Sequence, residues 1–169
     1  YVDVSADGKF VAIANYGGGT VALYPVDENG KLLPATSVVQ HRGSGPNTAR
    51  QGAPHAHSIR FSPFSSQLFS ADLGTDQLLI YDLSPTTRQM TPAAQPFAAL
   101  PPGSGPRHFD FSADGKFIYV VNELNSTVTI YENQNGRFTE LQSVATVPAG
   151  TGEGNYCADI HLSADEKFL

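Results

Sequence analysis

Residues 111–131 read FSADGKFIYVVNELNSTVTIY. Phe117, Tyr119 and Val121 recur at every second position, as do Val128 and Ile130, the period of two expected of strands. A polar loop, 122–127, separates the two runs, and the turn dipeptide Asp114-Gly115 precedes them. The same text returns elsewhere. Residues 4–24 read VSADGKFVAIANYGGGTVALY, residues 61–81 read FSPFSSQLFSADLGTDQLLIY, and a fourth copy opens at Leu162 with LSADEKFL. The three longer copies align without a gap, matching Ser5, Ser62 and Ser112, then Asn15, Asp72 and Asn122, then Tyr24, Tyr81 and Tyr131. With Ser5, Ser62, Ser112 and Ser163 as markers, the copies start 57, 50 and 51 residues apart. A strand-rich unit of about this length is a blade of a β-propeller.

Each repeat offers four strands. In the second they fall at 57–61, 68–71, 77–82 and, more weakly, 96–100; in the third at 107–111, 117–121, 127–132 and 138–147. Asp7-Gly8, Asn29-Gly30, Asp114-Gly115 and Asn135-Gly136 mark turns between them. No long stretch has apolar residues at helical spacing. The fold class is therefore all-β: a β-propeller of four-stranded antiparallel blades, here an incomplete arc of about three blades plus the start of another. The first copy is expected to lack its opening strand, and the last everything after its first turn. Propellers close with roughly four to eight blades, so 1–169 reads as part of a larger single propeller domain rather than a ring closed by partner chains. Such an arc leaves strand edges unpaired at both ends.

Composition narrows the partners. Of 169 residues, 40% are hydrophobic and 15% charged, enough apolar material for a core. A net charge of −6 argues against nucleic acid, which requires a basic face. No apolar run approaches the ~20 residues of a membrane helix. Cys157 stands alone, so no intrachain disulfide forms and the compartment stays open. It reads as a small buried residue. Any targeting peptide would lie upstream of Tyr1.

Connectivity sorts the loops. Successive strands of a blade reverse direction, so the linker entering strand one and the loop between strands two and three share a face. That face carries 50–57 (RQGAPHAH), 103–108 (GSGPRH) and the loops 15–19, 72–75 and 122–126. The opposite face carries the repetitive turns 5–9, 29–32, 112–116 and 135–138, whose sameness suits a structural task. In a repeat protein, residues that break the repeat are the candidates for function. Five positions before the marker serine stand His57, Arg107 and Ala158; eleven after it stand Tyr16, Leu73 and Glu123. A carboxylate in a slot otherwise held by Tyr or Leu needs a partner, and Arg107 can supply it. Two readings follow: a structural ion pair, or a pocket at the ring centre shared by His57, Arg107 and Glu123.

Such a set has definite chemistry. An imidazole, or a carboxylate with a raised pKa, moves protons near neutrality. A guanidinium holds a carboxylate or phosphate, or a developing oxyanion. Together they suit opening or closing a lactone ring on an anionic sugar acid or diacid. His55 and His57 as metal ligands are the weaker alternative, because no third ligand lies at a convincing spacing. His41 and His108 also fit hydrogen-bonded loop histidines, His161 a mid-strand one, and Asp72 and Asn122 loop caps. Gly17-Gly18-Gly19 lacks the strand-loop-helix setting of a phosphate loop and reads as a turn.

ANYGGGTV (14–21), RQGAPHAHS (50–58), SADLGTDQLLIY (70–81) and GPRHFDFSADGKFIYVVNEL (105–124) together resemble the seven-bladed propeller lactonases. That group comprises bacterial 6-phosphogluconolactonases and fungal carboxymuconate lactonising enzymes. The resemblance implies a ring of seven blades and a central site that needs no metal and no cofactor. It implies catalytic roles for His57 of PHAH, Arg107 of GPRH and Glu123 of NEL; beside them, Arg50, His55 and His108 are the candidates for binding a small anionic lactone. A further family arginine would fall beyond Leu169. The motifs do not separate a lactone hydrolase from a muconate cyclase, and a non-catalytic propeller binding an anionic sugar or a protein partner is the rival from another class.

Overall fold

The computed structural model describes residues 1–151 and 154–169. Its elements are β1 (Val2–Val4), β2 (Phe10–Asn15), β3 (Thr20–Pro25), β4 (Ser37–Gln40), α1 (Thr48–Gln51), β5 (Ala56–Phe61) and β6 (Gln67–Asp72). There follow β7 (Gln77–Ser84), β8 (Gln89–Ala99), β9 (Pro106–Phe111), β10 (Phe117–Asn122), β11 (Thr127–Gln134) and β12 (Arg137–Ala145). They form three four-stranded antiparallel meanders, β1 to β4, β5 to β8 and β9 to β12. The all-β reading holds, as do nearly all of the expected strands.

Three expectations need correction. The first copy does have an opening strand: the short β1 pairs with β2 from Val2↔Ile13 to Val4↔Val11. The fourth strand of the second sheet is not 96–100 but the eleven-residue β8. Pro92 and Pro96 disguise it, and an outer strand tolerates them because one of its edges needs no donors. His161 lies in no strand; its side chain is 75% exposed and bonds Asp159 Oδ2 at 3.0 Å.

The marker serine earns its recurrence in the turn it builds. Ser112 Oγ donates to Asp114 Oδ1 at 2.8 Å and accepts from Phe117 N at 2.9 Å, while Asp114 Oδ1 accepts from Lys116 N. Gly115 takes φ +71°, a conformation that costs glycine nothing. Ser5 with Asp7 and Ser163 with Asp165 repeat these bonds. These turns are structural, as their sequence suggested.

The sheets stack face to face, and the middle one is covered on both sides. Leu68, turned towards the first sheet, packs with Leu23, Ile59 and Met90. Phe69, turned the other way, meets Phe109, Phe111 and Phe138. The first strands β1, β5 and β9 lie side by side. Side chains tie each to the next: Asp3 Oδ2 accepts from Phe61 N at 2.9 Å, Ser58 Oγ donates to Arg107 O at 2.7 Å, and Arg60 Nη1 donates to Phe109 O at 2.7 Å. This inner row carries two of the candidate site residues, His57 and Arg107.

Candidate functional site

His57 and Arg107 sit at the same irregularity in neighbouring sheets. β5 pairs with β6 through Ala56↔Asp72 and then Ser58↔Ala71, so His57 is the extra residue of a bulge. β9 pairs with β10 through Pro106↔Asn122 and then His108↔Val121, so Arg107 is its counterpart. A bulge re-aims the side chain it carries. Simple alternation along the strand therefore does not tell where these two residues point.

They converge on Glu123, in the loop between β10 and β11. Arg107 Nε donates to Glu123 Oε2 at 3.1 Å, and His57 Nε2 stands 3.8 Å from the same oxygen. Arg50, on α1, donates through Nη2 to Oε1 at 2.5 Å. The Glu123 side chain is only 12% exposed. The two readings of Glu123 thus coincide: it is ion-paired, and the pair lies beside the imidazole. Burial, the Arg107 charge and His108 push the pKa of His57 down to about 4, so its ring is neutral at pH 7. Its Nδ1 is buried and has no hydrogen-bond partner among the described residues. Bonds to Glu123 and to Tyr16 hold the Arg50 proton more firmly than usual.

Tyr16 stands between the two histidines of PHAH. The His55 ring stacks on it at 4.5 Å and His57 meets it edge-on at 5.3 Å. His55 Nδ1 bonds Tyr16 O at 3.1 Å, which occupies the nitrogen nearest the loop. His108 bonds Asp159 Oδ1 through Nδ1 at 2.7 Å and meets the His57 ring edge-on at 5.3 Å. It belongs to β9 rather than to a loop. Among the described residues no group of three His, Cys, Asp or Glu could hold a metal ion. Cys157 is half-buried, not buried, with Sγ 3.1 Å from Thr146 Oγ1.

One support escaped the sequence reading; the other is a histidine that reads there as a hydrogen-bonded loop residue. Gln51, fully buried, donates through Nε2 to Leu73 O at 2.8 Å and to Asp76 Oδ1 at 2.7 Å. Asp76 also accepts from Gly103 N and Gly105 N, and Gly105 O accepts from Glu123 N at 2.8 Å. One carboxylate thus links the helix of Arg50 to the loop of Glu123. A signal was present: Asp76 (φ +54°) fills the left-handed slot held by Gly19 and Ser126 in the other copies. The second support is His41, buried, with Nδ1 2.6 Å from Asp72 Oδ2 and Nε2 2.9 Å from the Tyr81 hydroxyl. Asp72 Oδ1 accepts from the backbone N–H groups of His55, Gly74 and Thr75. Asp72 is the loop cap expected of it, fixed by a buried histidine.

The family model described as "Lactonase, 7-bladed beta-propeller" matches residues 1–169. The chain belongs to the seven-bladed β-propeller lactonase family. It is 34% identical over 171 residues to the 6-phosphogluconolactonase of Bacillus subtilis, and 34% over 170 to that of Formosa agariphila. Each alignment covers 100% of this chain and 48% of the relative. Among solved structures, the periplasmic gluconolactonase of Pseudomonas aeruginosa superposes with a TM-score of 0.90 at 38% identity, covering 98% of this chain and 47% of that one. The chain spans about half the length of the curated lactonase relatives it matches.

Proposed function

We propose that the three sheets are consecutive blades of one seven-bladed domain, and that the full-length protein hydrolyses a sugar-acid lactone such as 6-phosphogluconolactone. The observation that carries this is the meeting of His57, Arg107 and Arg50 at the single carboxylate of Glu123. The lactonase relatives support the reaction class.

Each residue has a task in this reading. His57 Nε2, neutral, takes a proton from water as the oxygen attacks the lactone carbonyl. Both oxygens of Glu123 are engaged by N–H groups of Arg50 and Arg107, so its part here is electrostatic. Its charge stabilises the imidazolium that forms 3.8 Å away. This narrows the sequence expectation, in which His57 and Glu123 shared the proton work. Arg107 uses only Nε on Glu123, which leaves its two terminal nitrogens for an anionic substrate group or the developing oxyanion. Arg50 assists from the rim, and His55 lines the approach. The chemistry uses no metal and no cofactor.

The test is turnover of 6-phosphogluconolactone and gluconolactone by the full-length protein, with and without a chelator. Acceleration over spontaneous opening, unchanged by the chelator, is expected. Tight binding of sugar acids with no acceleration would assign a binding module instead. Product analysis with a muconate separates hydrolase from cyclase.

The pH profile gives a sharper expectation. His57 works unprotonated, so the acidic limb of kcat/KM should lie near pH 4 rather than 6.5. Stability follows the same group. Between pH 6.5 and 4 the unfolded chain binds a proton that the native His57 refuses, so stability falls as pH drops through that window and levels below it. A kinetic limb at 6.5 would mean that the ring is not desolvated in the working enzyme.

A further inference from the structure

The mechanism above leaves the departing alkoxide without a proton donor. Hydrolysis releases the ring oxygen as an alkoxide, which needs a proton as the C–O bond breaks. Glu123 is engaged by Arg50 and Arg107, and His57 is taken up by water. The inner row offers one further imidazole at the site, that of His108.

We propose that His108 is the general acid of the reaction, oriented by Asp159. This rests on the lactonase reading. His108 follows Arg107 directly at the bulge in β9, and its ring meets that of His57 at 5.3 Å with 74° between the planes. Nδ1 is 2.7 Å from Asp159 Oδ1, so the carboxylate accepts the Nδ1 proton and stabilises the imidazolium. Nε2 has no hydrogen bond among the described residues and is the nitrogen left to face substrate. The His108 side chain is 19% exposed, sheltered but reachable.

The groups around it are consistent with this role. The Tyr1 ring packs edge-on at 5.2 Å. The His57 ring faces it from β5, and the carboxylate of Asp159 is bonded to it from the opening of the fourth copy. His161 shares that carboxylate through Oδ2 at 3.0 Å. The bond from His108 also holds the Asp159 carboxyl well below the usual range.

The proton balance closes. Water attacks the carbonyl carbon and its proton passes to His57 Nε2. The tetrahedral intermediate collapses, the ring C–O bond breaks, and the ring oxygen takes the proton from His108 Nε2. The hydroxy acid leaves with His57 protonated and His108 neutral. Passage of that proton from one ring to the adjacent one, directly or through water, restores the starting state.

The experiment uses the full-length protein with gluconolactone and 6-phosphogluconolactone as substrates. His108→Gln should lower kcat about 10²-fold or more, leave KM within about threefold, and abolish the alkaline limb of the kcat profile. Asp159→Asn should lower kcat less and shift that limb to lower pH. Circular dichroism and thermal melting check that both variants fold. Retention of kcat in His108→Gln, or a lower kcat with the alkaline limb intact, overturns the proposal. If wild-type protein opens neither lactone, the underlying lactonase reading fails instead; if it does so and only His57→Asn is inactive, the reading stands and His108 is structural.

Discussion

Lactone turnover by His57→Asn in the full-length protein is expected to fall by about 10²–10⁴ in kcat, the usual contribution of a positioned base. The fold should survive. Among the described residues the His57 side chain makes no hydrogen bond across its sheet, and its buried Nδ1 has no partner. Asparagine keeps polarity and removes the titrating ring, so thermal melting should move little while turnover collapses. The acidic limb near pH 4 should vanish from whatever activity remains. Equal loss of stability and rate would instead mark His57 as a packing residue.

Gly74→Ala is expected to damage both stability and rate, although Gly74 touches no substrate. A β-carbon at Gly74 would lie 1.9 Å from Ala53 O and 2.9 Å from His55 N, both backbone atoms. Neither can swing away as a side chain tip does. The segment between α1 and β5 would have to move, and with it His55, His57 and the anchorage of α1. Overpacking of this kind costs about 3 kcal/mol or more. A shift of about 1 Å at a catalytic group can cost a further ~10²-fold in rate. Denaturant unfolding beside steady-state kinetics measures both. A variant with wild-type stability and rate would show that this close approach is not maintained in solution.

The fold was legible because the repeat states it three times. Ser5 with Asp7, Ser112 with Asp114 and Ser163 with Asp165 build the same turn, so one copy teaches the next, although Ser62 caps its turn with Ser65 instead. β1 and β8 were harder. The first offers only three residues, and the second carries two prolines that a single-strand reading counts against it. The cluster at Glu123 was legible through the slots that break the repeat, which are those of His57, Arg107 and Glu123. The supports were not legible to the same degree. Gln51 is an ordinary polar residue in sequence, and only burial against Asp76 and Leu73 gives it meaning. The bulges at His57 and Arg107 are set by pairing between strands, which no local pattern records. The partnership of His108 with Asp159 joins residues 51 apart along the chain and depends on how the fourth copy meets β9.

The central claim is that an anionic lactone is bound and opened where three cationic or imidazole side chains surround Glu123. The most direct measurement is a crystal structure of the full-length protein with 6-phosphogluconate, the hydrolysis product, bound. The expected result places its carboxylate within hydrogen-bond reach of His57 Nε2, with a terminal nitrogen of Arg107 on one of its charged groups. Product bound away from the inner ends of β5 and β9, with the Glu123 cluster untouched, would contradict the account.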